Sequence, residues 1–418
     1  MSTIGALAGL LLAILLIIKK VPAAYGLILG AVVAALLGGN TLPESVTMMV
    51  DGVKDITPAI IRIITAGVLS GLLIKTGAAE SISSAIVRNL GKKHVFFALA
   101  LATMLLTAIG VFIDVAVITV APVALMIGRQ MNLSRLQLLF VMVGGGKCGN
   151  IISPNPNTII AAENFGAELF SVMFVNLIPA IIGLFIIAYG WKRLVPETGI
   201  IGEELEEVAV SEPKKSLPAL ITSLVAPGVT IGLLVLRPLC GIIIDPLIAL
   251  PAGGLCGAIA MGRFREINKG IAYGLEKMSV VAVLLIGTGA IAGVIKASAL
   301  KTDILDLLAT LGIGDYLIAP VSGALMSAAT ASTTAGATLA SASFAQTILG
   351  AGISAVWGAA LINVSATVLD HLPHGSFFHA TGGAVYMPLH ERLKLIIFET
   401  AAGLTLTVLS LIAFWLIG

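Results

Sequence analysis

The chain has 418 residues, 58% of them hydrophobic and 11% charged, with a formal net charge of +2. Soluble globular domains carry roughly a quarter of their residues as charges, so this composition excludes one. The small net charge, scattered singly or in pairs, also excludes a nucleic-acid partner. What remains is an all-α polytopic membrane protein whose surroundings are the lipid bilayer.

Apolar runs of roughly 17 to 25 residues span a bilayer, and their succession predicts about 11–12 transmembrane helices. The first covers residues 3–18. Lys19 and Lys20 follow the apolar run instead of preceding it, so it is not read as a secretory leader. Cationic residues of short loops gather on the cytoplasmic side, which places the N-terminus outside. Residues 23–39 then lead out to a loop holding Glu44, Asp51 and Asp55, and residues 55–76 return to Lys75, Arg88, Lys92 and Lys93. Residues 94–110 form a helix, followed by a partial element through Gly110 and Asp114 that ends inside near Arg129 and Arg135. Residues 136–149 run into a Pro-Asn break and exit near Glu163 and Glu168, and 170–191 return to Lys192 and Arg193.

Residues 196–216 are the one long polar stretch, read as a cytoplasmic linker between transmembrane repeats 1–195 and 217–418. Its acidic run, Glu203 to Glu207, is a solvated loop. The second half predicts helices at 217–236, 242–261, 277–298, 316–349 (broken), 352–368 and 391–416, with Arg263, Arg265 and Lys269 inside.

Ile64, Gly67, Gly71 and Ile82 align at one constant offset with Ile286, Gly289, Gly293 and Ile304. Each glycine-bearing helix leads into a short amphipathic segment suited to the interface, about 82–90 and 304–311. The first copy runs inward and the second outward. Inverted repeats of this kind, with substrate held at broken helices, are a transporter architecture.

Four breaks fall in mirrored positions: the Asp114 region, the Pro-Asn run, Ala328 to Ser343, and Val364 to His379. The stretch Met142 to Thr158, with three successive glycines, a lysine and Pro-Asn-Pro-Asn, is not expected to continue as an unbroken helix. Each proline lacks an N–H and disfavours helix in the residue before it. Irregular backbone at membrane depth survives only where it lines a cavity or is buried in protein. Asn150, Ser153, Asn155, Asn157 and Thr158 are therefore candidate substrate ligands, presenting amides, hydroxyls and half-helix N-termini to an anion. Lys147 is expected to bind that anion or to pair with Asp114, because a lysine at mid-membrane must face a cavity or a carboxylate. Arg62 invites the same argument, against which stands a structural ion pair or a snorkelling position nearer the membrane face.

Asp114 is a candidate ion-coupling carboxylate, or a cap on the half-helix that follows. Asp370, His371, His374 and His379 gather four titratable groups into ten residues. Asp370 and His371 are assigned to ion coupling, and His374 and Ser376 to substrate. A metal site is not expected from this spacing. Ser332, Thr333 and Thr334 add hydroxyls, which serve a ligand or their own helix backbone. Cys148, Cys240 and Cys256 are read as buried small hydrophobes. No nucleotide-binding or nucleophile motif stands out, and neither an enzyme nor a bound cofactor is expected.

The segments GVFIDVAVITVAPVALMIGR and GGGKCGNIISPNPNTIIAA, with the plan of both halves, resemble the gluconate:proton symporter (GntP-type) family of the ion transporter superfamily. The resemblance implies proton-driven uptake of sugar acids or small hydroxy-carboxylates through inverted repeats with re-entrant hairpins. Asp114 matches the aspartate of the family's Phe-Asp-Val-like segment. This chain departs from the pattern in carrying Gly149 and Asn150 where the family has a histidine, and in gathering histidines at His371 to His379. The expected function is symport of a small carboxylate with a proton, at the cell (inner) membrane. Sodium coupling of a di- or tricarboxylate, or cation/proton antiport, is the alternative, and a homodimer is left open.

Overall fold

The computed structural model describes residues 1–91, 94–198, 217–300, 302, 303, 306, 310, 314–373 and 375–418. All regular elements among them are helical. Among the described residues, five helices are long and apolar enough to cross a bilayer, and seven more are apolar but 10–17 residues long.

The first half runs α1 (Thr3–Ile18), α2 (Ala23–Leu37), α3 (Leu42–Lys75), α4 (Ala78–Leu90), α5 (Val95–Ala108), α6 (Ile113–Gln130), α7 (Arg135–Asn150), α8 (Pro156–Phe165), α9 (Leu169–Val175) and α10 (Leu177–Phe185). The second runs α11 (Leu220–Ser223), α12 (Val225–Cys240), α13 (Pro246–Ala260), α14 (Ile267–Lys296), α15 (Ile318–Thr330), α16 (Thr333–Gly350), α17 (Ala355–Ser365), α18 (Ser376–Ala384), α19 (Leu389–Lys394) and α20 (Ile396–Ile417). Residues 199–216 of the expected linker, and most of the expected amphipathic segment 304–311, lie outside the described residues.

Helix α3 starts well before its expected beginning. Thr41 caps it by accepting from Glu44 N, and the Glu44 carboxylate accepts from Thr41 N at 2.8 Å. This capping box starts a helix that carries Asp51 and Asp55 and continues past Pro58. The charges that suggested a loop sit on the helix itself.

Helices α3 and α14 pack antiparallel through glycines. A Cβ built on Gly52 would lie 2.1 Å from Gly289 O, and one on Gly274 would lie 2.0 Å from Gly67 O. Likewise, a Cβ on Gly293 would lie 2.1 Å from Met48 O, and one on Gly71 would lie 2.0 Å from Gly270 O. Within each pair the two contacts are related by the offset that aligned the glycines in sequence. The flanks follow the same rule: α2 packs on α14, and α13 packs on α3.

Helix α7 runs through the centre of the molecule, buried at every position from Leu136 to Asn150. As expected for residues 136–149, it stays helical through Gly144 to Gly146 and Lys147 and gives way only at the Pro-Asn break. Glycine in a helix costs about 1 kcal/mol relative to alanine. Here close approach to α5 offsets that cost, since a Cβ on Gly145 would meet Ala100 O at 2.1 Å. Cys148 is buried as expected, whereas Cys240 and Cys256 are exposed.

Helices are interrupted at 109–112, 151–155, 331–332 and 366–375. Gly110 turns the first break with φ +101°, in the left-handed region open to glycine. Ala331 turns the third with φ 46°, and Ser332 accepts from Ala335 N to cap α16. The breaks meet in pairs. Gly110 lies beside Pro154, and Gly375 comes so close to Ala331 that a Cβ on it would lie 2.4 Å from Ala331 O.

Candidate substrate and coupling site

Lys147, one turn before the end of α7, is fully buried. Its ammonium donates to Asp370 Oδ1 at 2.7 Å and to the Thr367 carbonyl, and lies 3.1 Å from His371 Nδ1. The carbonyl of Glu399 is 3.4 Å away. Asp370 accepts on its other oxygen from Thr333 Oγ1 at 2.6 Å. One carboxylate thus ties α7, the 366–375 break and the first residue of α16 together.

His371 Nε2 lies 3.0 Å from the Ile396 carbonyl and 3.1 Å from Thr400 Oγ1. A ring nitrogen facing a carbonyl carries the hydrogen, which leaves Nδ1 of a neutral ring to accept from Lys147. Close by, Arg392 and Glu399 form a second buried ion pair, bidentate at 2.6 and 3.0 Å. Arg392 also donates to Phe378 O and Thr381 Oγ1. Buried charges persist only when paired and hydrogen-bonded, and both pairs meet that condition.

An amide layer lies across the two halves. Asn157 Nδ2 donates to Asn363 Oδ1 at 2.7 Å, and Asn363 Nδ2 donates to Thr158 Oγ1 at 3.1 Å. Within the 151–155 break region, Asn155 Nδ2 donates to Asn150 Oδ1 at 2.8 Å. Asn150 Nδ2 and Ser153 Oγ are buried with no partner among the described residues. Unpaired buried donors are costly, and these two sit where the breaks already concentrate polar groups.

The structure brings together Lys147, Asp370, His371 and Thr333, and separately Asn150, Asn155, Asn157 and Thr158. It corrects the partner expected for Lys147. The pairing is with Asp370, delivered by the 366–375 break, while Asp114 lies in the first turn of α6 with Lys277 of α14 as its electrostatic neighbour. Of the histidines in the second break, His371 joins the centre and His379 is exposed and within 2.9 Å of Pro373 O, while His374 lies outside the described residues. Ser376 is exposed at the start of α18. Ser332 and the Thr334 carbonyl serve their own helix, the latter accepting from Thr338. Arg62 forms a structural ion pair, with Asp245 at 2.7 Å and with Glu163.

Sequence reading missed Asn363, Arg392, Glu399 and Thr400. Asn363 and Glu399 sit inside runs that read as apolar helix, Asn363 one turn before the 366–375 break. Arg392 reads as one of a surface cluster with Lys394. The one available signal was spacing: Arg392 and Glu399 are seven apart, hence on one helical face.

A family model described as GntP family permease matches residues 1–417. The chain belongs to that family. The permease is 52% identical over 413 residues to an uncharacterized transporter of Haemophilus influenzae, covering 99% of this chain and 98% of the other. It is 21% identical over 392 residues to the high-affinity gluconate transporter of Escherichia coli, covering 88% and 89% of the two chains. Its fold is similar to the solved YdaH transporter of Alcanivorax borkumensis, with a TM-score of 0.62 at 15% identity over 90% of this chain and 88% of that one. The permease is a multi-pass membrane transporter, not an enzyme.

Proposed function

We propose that this permease moves a small organic anion, a gluconate-like sugar acid or hydroxy-carboxylate, together with a proton by alternating access between its repeats 1–195 and 217–418. The observation that carries this reading is the buried Lys147–Asp370 pair with His371 at its side. Together the pair is neutral, as a buried site at membrane depth must be. A proton on Asp370 releases the Lys147 ammonium, and a substrate carboxylate then restores neutrality. Either ligand alone leaves an uncompensated buried charge, so the two enter together. Asn150 and Ser153 offer their unpartnered donors to the same anion, and His371 relays the proton between Asp370 and Thr400. The gluconate transporter among the relatives supports the substrate class.

The test is uptake of labelled gluconate, lactate and citrate into proteoliposomes, with pH and sodium gradients imposed separately. Gluconate is expected to accumulate under a proton gradient alone. Asn157→Ala, which removes the bond to Asn363, and Asp114→Asn, which removes the carboxylate in the first turn of α6, are expected to abolish coupled uptake in protein that stays folded in detergent. Accumulation that follows sodium alone overturns the proton assignment, and full uptake by both variants overturns the site.

A further inference from the structure

Helices α8 and α16 begin at the polar centre, with Asn157 and Thr333, and run from there side by side, joined by Asn164 Nδ2 donating to Ser341 Oγ at 2.8 Å. About two helical turns from that centre, roughly 11 Å along each axis, they meet α3 and α14 around a cavity of about 390 Å³. The glycine crossing of α3 and α14 contributes to its wall, and it lies toward the ends of these helices assigned to the outside by the charge distribution. A neighbouring cavity, lined by the Arg62–Asp245 pair, shares Glu163 with it.

The lining is built for a ligand rich in hydroxyl groups. Asn164, Ser341, Ser343 and Gln346 present amides and hydroxyls, each able both to donate and to accept. Ser343 is 7% exposed, and its hydroxyl has no partner among the described residues. A buried hydroxyl left unpaired is costly. Lys296 stands at the rim, paired to Asp55 at 3.0 Å and largely exposed, placed to take a carboxylate at one end of such a ligand.

We propose that this cavity is an outer subsite, separate from the Lys147 centre, that binds the hydroxyl chain of a polyhydroxylated acid before it reaches the breaks. The proposal rests on the organic-anion reading above. A site whose polar groups bond substrate hydroxyls rejects the analogue that lacks them, because those groups are then left unpaired.

Binding to the purified full-length permease in detergent, followed by thermal shift with gluconate and with hexanoate as probes, tests it. Wild type is expected to bind gluconate at least about tenfold more tightly than hexanoate. Ser343→Ala and Asn164→Ala are each expected to weaken gluconate about three- to tenfold and to leave hexanoate unchanged. Equal binding of the two acids by wild type, binding of neither, or gluconate affinity unchanged in both variants overturns the subsite. The transport reading fails on a different result, namely no anion uptake by wild-type proteoliposomes under either gradient.

Discussion

Removing one member of a buried ion pair strands the other charge, at a cost of about 3–5 kcal/mol. Lys147→Met and Asp370→Asn are each expected to fall in that range by thermal unfolding in detergent. The double variant is expected to cost clearly less than the sum, and strict additivity would contradict the pairing. The Arg62–Asp245 pair behaves differently because it is partly exposed. Hydrogen bonds from Arg62 hold the Asp245 carboxyl below the usual carboxylate range. Such a group contributes stability above its unfolded value of about 3.9 and loses it only as pH falls through the lower folded value. The stability lost in Arg62→Gln is therefore expected to be the same at about pH 6 and about pH 8; a loss confined to the higher pH would speak against the pair. Lys147, Asp370 and His371 were legible as isolated anomalies, polar groups in apolar surroundings. Their association was not, because Lys147 and Asp370 stand 223 residues apart and local pattern says nothing about which break faces which.

At the scale of elements, α1 begins and ends where its apolar run does, and the breaks at Gly110 and the Pro-Asn run fall where proline and glycine demand them. One element went further than local chemistry suggested. The capping box extended α3 through its acidic turn, and charge proved a poor helix terminator there. Helix α7 ends at the expected Pro-Asn break, and packing on α5 offsets the propensity cost of its three glycines. The glycine crossing of α3 and α14 makes a paired prediction. Gly71→Ala and Gly293→Ala each force a Cβ against the partner's carbonyl, and overpacking of this kind costs about 1–3 kcal/mol. The two variants are expected to lower the unfolding temperature by similar amounts. A large effect in one and none in the other would contradict the two-fold relation of the helices.

For the whole molecule, composition alone set the membrane class, and the glycine offset marked the two corresponding helices without saying that they pack on each other. What composition could not supply was the closing of four breaks on one another, since that depends on long-range packing between halves. The central claim is that the centre built from Lys147, Asp370 and His371 admits a proton and an organic anion together. The most direct test is lumenal pH, read by a trapped fluorescent dye, when gluconate is added outside sodium-free proteoliposomes. Wild type is expected to acidify the lumen as gluconate enters. Asp370→Asn is expected to exchange labelled gluconate across the membrane while moving no proton. Gluconate entry without acidification in wild type, or acidification undiminished in Asp370→Asn, would contradict the account.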